Sequence, residues 1–138
     1  MRDLTTTDRD AQGPLRRALL IDAAATAGMG ALLVAAPALL ESLLGHPPAL
    51  TRGAGLVLLP FAALLAWVAR RPRIPAGLAR TLVIVNVLWA IDSVVLPLTG
   101  WIDPTALGAA FVVAQGLVVA AFAWLEWTGL RRAAPAAA

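Results

Sequence analysis

The chain contains no cysteine, no tyrosine and no lysine, and its one histidine is His46. Without a thiol there is no disulfide, no iron–sulfur cluster and no Cys-based zinc site. A lone histidine within Gly45-His46-Pro47-Pro48 provides neither a paired-His metal site nor haem ligation inside a bundle. No glycine-rich phosphate loop follows a strand, no nucleophile adjoins a recognisable base, and no carboxylate pair suggests a water-accessible cleft. Gly53-Ala54-Gly55 reads as the entry to a helix, not as a nucleotide motif. The residues therefore predict a protein without a cofactor or a metal, and not an enzyme.

Charge is also scarce, at 14% of 138 residues against 60% hydrophobic. A soluble domain of this size has too little interior to bury so much apolar surface, so lipid must cover the excess. The isoelectric point near 11.3 and formal charge of +3 do not imply nucleic acid, because the arginines flank apolar runs instead of gathering on a polar face. Attraction to anionic headgroups and the setting of topology account for them better.

Four apolar segments stand out, at about 18–40, 50–69, 81–98 and 105–127, each near the roughly 20 residues that cross a hydrocarbon core. They lack the alternation of barrel strands, so the expected fold is all-α, a four-transmembrane-helix bundle. Residues 1–13 and 133–138 are expected to be disordered tails. Ten of the 11 basic residues precede the first segment, separate the second from the third, or follow the fourth; only Arg52 does not. Short cytoplasmic loops retain arginine, so the pattern predicts a multi-pass inner-membrane protein with both termini inside. Trp67, Trp124 and Trp127 near the inner ends and Trp101 at the outer boundary fit the headgroup preference of indole. Asp22 interrupts what could otherwise be a signal sequence, and the polar stretch before it is long, which predicts a retained anchor.

An internal repeat is visible. Arg17 to Asp22 resembles Arg80 to Asn86 with one residue inserted, and Gly53 to Trp67 resembles Gly108 to Trp124 with two inserted. A duplicated helical hairpin would place a pseudo-axis along the membrane normal. On the first span, Ala24, Ala27, Gly28, Ala31 and Ala35 form a smooth ridge, expected to serve internal packing, with Asp22, Thr26 and Met29 on the opposite face.

Polar residues at membrane depth carry the chemistry, since each requires a partner, a water or a proton. Asp92 is the deepest acid on the third span and shares an arc with Asn86, Trp89 and Ser93, which should point into the bundle. Arg52 is its expected partner, with Ser93 or Gln115 adding a hydrogen bond. The candidate polar intrabundle site is thus Arg52, Asn86, Asp92, Ser93 and Gln115. Asp22 and Glu126 read as interfacial, with Arg17, Arg80 or Arg131 available to pair with Asp22. Gly108, Gln115, Phe122 and Glu126 fall along one stripe of the fourth span, and Asp103-Pro104 looks like its N-cap and first turn.

In layout the chain resembles small, uncharacterised four-span bacterial inner-membrane proteins over residues 15–132. The likeness rests on Arg16 to Asp22, Arg52 to Leu56 and the span carrying Asn86 and Asp92, and it implies no activity. Small multidrug-resistance transporters are similar in size and carry an acid in the first span. Here that acid is Asp22, near the inner boundary, and there is no Tyr, so the resemblance does not extend to their function. Two functions fit the residues. One is a structural or accessory bundle that packs in the lipid bilayer as a homo-oligomer or within a larger membrane complex. The other is a small proton- or cation-coupled transporter using Asp92.

Overall fold

The computed structural model describes residues 10–133. Of the tails expected at 1–13 and 133–138, residues 1–9 and 134–138 lie outside the described residues. Among the described residues the main α-helices are, in order, α1 Gly13–Ala35, α2 Pro37–Leu44, α3 Pro48–Ala69, α4 Ala76–Val95 and α5 Ala106–Ala133, with a 3₁₀ turn at Leu96–Leu98. Four of them, α1, α3, α4 with its 3₁₀ extension, and α5, are long and apolar enough to cross a membrane. The protein is an all-α, multi-pass four-helix membrane bundle.

Several helix ends differ from the sequence expectation for identifiable reasons. The first span stops at Ala35 instead of near residue 40, because Ala36 leaves helical geometry at φ −128° before Pro37 opens the short α2. The first and last spans begin earlier and end later than expected because Leu15 and Leu130 are buried at the arginine-rich end, where Leu15 lies against Gly129. Gln12 is not part of a loose tail. Its side chain donates to the Ile74 carbonyl at 3.2 Å and accepts from the Ile74 amide at 2.9 Å, so it ties the α3–α4 loop to the start of α1. Arg16 adds to the same connection by donating to the Ala69 carbonyl. The cap of α5 is Thr105, not Asp103: the Thr105 hydroxyl accepts from the Gly108 amide at 3.0 Å and donates to the Leu43 carbonyl at 2.9 Å. Gly45 closes α2 at φ +71°, and a Cβ there would lie 2.9 Å from the Asp103 oxygen, so this turn needs glycine on both counts.

The helices form an incomplete ring in the order α3, α1, α5, α4. Adjacent members pack along their lengths, but α3 and α4 do not pack side by side. At the arginine-rich end the bundle interior is apolar. Leu15, Leu19, Leu65, Val68, Ala69, Ala79, Leu82 and Leu130 fill it as one apolar core. Toward the other end, called the far end below, Leu33, Leu40, Leu44 and Leu58 form a smaller core, with Trp89 and Phe111 packed against it.

The small-residue ridge of α1 points the opposite way from expectation. Ala24, Gly28, Ala31 and Ala35 are exposed, and a Cβ on Gly28 would meet nothing within 4 Å. The buried face carries Asp22, Thr26, Gly30 and Leu33. Close approach is served by other glycines: Gly55 of α3 lies against Gly30 and Leu33, and Gly116 of α5 against Ser93 and Ala90. In lipid, apolar burial gives no net drive to helix association, so a helix turns its polar residues inward and leaves alanine to the bilayer.

Candidate functional site

Asp22 of α1 and Glu126 of α5 are both fully buried, at 0% exposure, where the sequence placed them at the interface. No arginine pairs with either among the described residues. What joins them is Asn86 of α4, whose side-chain amide donates to Asp22 at 2.7 Å and to Glu126 at 3.3 Å. Thr26 lies one turn beyond Asp22 on α1 and donates its hydroxyl to the other Asp22 oxygen at 2.8 Å. The two carboxyls are close enough to interact with one another directly, and the second Glu126 oxygen has no hydrogen-bond partner among the described residues. Asn86 sits about 15 Å along α4 from Ala76 at 1.5 Å per residue, near the middle of a bilayer core. Two carboxyls and no cation at that depth are costly unless a proton or a ligand intervenes.

The local sequence explains the convergence. Asp22 and Asn86 occupy matching places in the internal repeat, and α1 and α4 face each other diagonally across the ring, so the two residues meet at its centre. Glu126 reaches the same point because its turn of α5 lies against α1. The stripe of Gly108, Gln115, Phe122 and Glu126 faces inward as a whole.

The site named from the sequence is divided by the structure. Asn86 joins the carboxyl pair. Ser93 and Gln115 form a second polar group nearer the far end: the Gln115 amide donates to the Ser93 hydroxyl at 2.9 Å, the Ser93 hydroxyl donates to the Trp89 carbonyl at 2.8 Å, and the Trp89 indole donates to the Gln115 oxygen at 3.4 Å. Asp92 and Arg52 are both exposed, and no ion pair or hydrogen bond joins them. The expected link fails because Asp92 leaves the buried arc of Asn86, Ala90 and Ser93 and turns toward the unclosed α3–α4 side.

Two cavities occupy that side. The nearer to the carboxyls, of about 180 Å³, is lined by Thr26 and Asn86 together with apolar residues of all four long helices. The other, of about 270 Å³, lies toward the far end and includes His46, Thr51, Asp92 and Ser93. They share Met29, Val57, Leu58, Trp89 and Gln115 as walls. His46 is only 7% exposed, its Nε2 has no partner among the described residues, and burial pushes its pKa below the usual 6.5.

Sequence reasoning missed that Asp22 and Glu126 form the centre. The available signal was the repeat, which equates Asp22 with Asn86 and marks both as inward. Among the described residues no cluster of His, Cys, Asp and Glu could hold a metal ion. No protein-family model, curated protein or solved structure matches the chain.

Proposed function

We propose that this is a non-enzymatic, proton-coupled transport protein of the bacterial inner membrane, with cytoplasmic termini, in which Asp22 and Glu126 share one proton. The observation that carries this reading is the carboxyl pair itself, fully buried, bridged by the one Asn86 amide, and without a cationic partner among the described residues. Two adjacent charges in a low dielectric repel strongly, and a single proton between them removes one charge while giving the unpartnered Glu126 oxygen a hydrogen bond. Asn86 and Thr26 then hold the remaining charge through charge-assisted bonds. The cavities supply an approach from the far end, past Asp92, Ser93 and Gln115 to Asn86. The apolar core at the arginine-rich end blocks the way onward. Coupled movement requires that block to open when the pair loses its proton, and four helices enclose so little room that a homo-oligomer is the natural assembly. The arginine bias orients the blocked end to the cytoplasm.

A second reading, a structural or accessory bundle, draws on the same hydrogen bonds. They join α1, α4 and α5 and would act as interhelical glue. A pH-dye flux assay in proteoliposomes separates the two. Proton-linked flux that Glu126→Gln abolishes, with the variant's fold retained, supports transport. Absence of flux at high protein density in wild type supports the accessory role.

A further inference from the structure

The far-end cavity is walled by apolar side chains such as Met29, Leu33 and Leu58 and by the rings of Trp89 and Phe111. A few polar groups converge on it, the arrangement of a small-molecule site. Of these, Asp92 is the one charged residue lining the cavity. Its carboxylate has no hydrogen-bond or ion-pair partner among the described residues, and Arg52, the arginine nearest in sequence to the cavity's α3 wall, is not part of the lining. His46, more than nine-tenths buried, brings a second unpartnered polar atom, Nε2, and its lowered basicity keeps the ring neutral there. A single negative charge, two aromatic rings and a neutral imidazole complement a cation with an apolar body. An anion would be repelled, and a fully apolar guest would leave the polar groups unmatched.

We infer that the cavity between α3 and α4 binds a small amphipathic organic cation, with Asp92 holding the charged head and Trp89 and Phe111 contacting the apolar part. The site gives the proposed transporter its cargo class, and to that extent rests on that reading, but binding is measurable apart from flux. The cavity of about 270 Å³ limits the guest to one aromatic ring with a compact ammonium group. Because this cavity shares Trp89 and Gln115 with the one lined by Asn86, an occupied site lies beside the cavity that borders the bridging amide.

The test is equilibrium binding of benzyltrimethylammonium to the full chain in phosphatidylcholine nanodiscs, with its uncharged isostere neopentylbenzene as control. Wild type is expected to bind the ammonium saturably, one per chain. Asp92→Asn should weaken binding by about tenfold or more through loss of the charge, and Trp89→Leu by roughly threefold to tenfold. Asp92→Asn removes no hydrogen bond or ion pair among the described residues, so an unchanged thermal midpoint certifies its fold. Failure of wild type to bind saturably, unchanged affinity in Asp92→Asn, or equal binding of neopentylbenzene would each overturn the inference. Asp92-dependent binding in a protein that shows no Glu126-dependent flux would overturn the transport reading and leave this site standing.

Discussion

Replacing Asn86 by leucine keeps the approximate side-chain volume and deletes the amide that donates to both buried carboxyls. Two interhelical hydrogen bonds are lost, at 2.7 Å to Asp22 and 3.3 Å to Glu126. Such bonds in membranes average about 0.6 kcal/mol each and reach about 1.7. Here the acceptors belong to a buried, charged pair, and leaving such a group short of a donor costs a further 1–3 kcal/mol or so. The expected loss is about 2–4 kcal/mol, which reversible unfolding in mixed micelles by SDS titration can resolve. In a Glu126→Gln background the new amide can donate to Asp22 in place of Asn86, so the same substitution should cost about 1 kcal/mol less or better. A loss under about 0.5 kcal/mol would refute the claim that Asn86 holds the pair together. An identical loss in both backgrounds would show that the carboxyls are not coupled through it.

Four further substitutions probe the packing and the loops. Gly116→Val would bring a Cβ within 2.7 Å of that of Ser93 and should destabilise the α4–α5 hairpin by about 1–3 kcal/mol. Gly28→Val, facing open space, should cost no more than the roughly 1 kcal/mol range of helix propensities and serves as the control in the same titration. Arg52→Gln should change stability by less than about 0.5 kcal/mol, because no partner in the described bundle depends on it; a loss of several kcal/mol would restore an Arg52–Asp92 staple. Burial lowers the pKa of His46, so the unfolded chain takes up this proton more readily than the folded one. Stability from this residue is therefore present above the ordinary value near 6.5 and declines as pH falls below it. Thermal midpoints taken from about pH 7.5 to about pH 5.5 should fall less in His46→Gln than in wild type.

The four spans were legible because length and apolarity directly report the thickness of a bilayer. Their ends were not, because Ala36, Gln12 and Thr105 act through contacts distant in sequence: Gln12 with Ile74, and Thr105 with Leu43. That polar residues lie at membrane depth was legible, but how they group was not. Depth along α4 favoured Asp92, yet a residue six positions beyond Asn86 projects about 120° away from it, and that rotation carries the carboxylate out of the core. Asp22 and Glu126 looked interfacial because arginines lie within reach in sequence. In space α1, α4 and α5 converge on those two acids, and Gly129 lets α5 approach Leu15 closely enough to bury them. The ridge on α1 misled for a related reason: small residues permit close packing, but the inward choice was made by Asp22 and Thr26, which a bilayer would not accept.

Infrared spectroscopy of the protein in a bilayer at neutral pH reads the one proton shared by Asp22 and Glu126 most directly. Wild type should show the C=O stretch of a protonated carboxylic acid shielded from solvent, and Glu126→Gln should lack it while unfolding at a similar denaturant concentration. If wild type shows only ionised carboxylates, or if the protonated band survives in Glu126→Gln and disappears in Asp92→Asn instead, the buried pair is not the proton site.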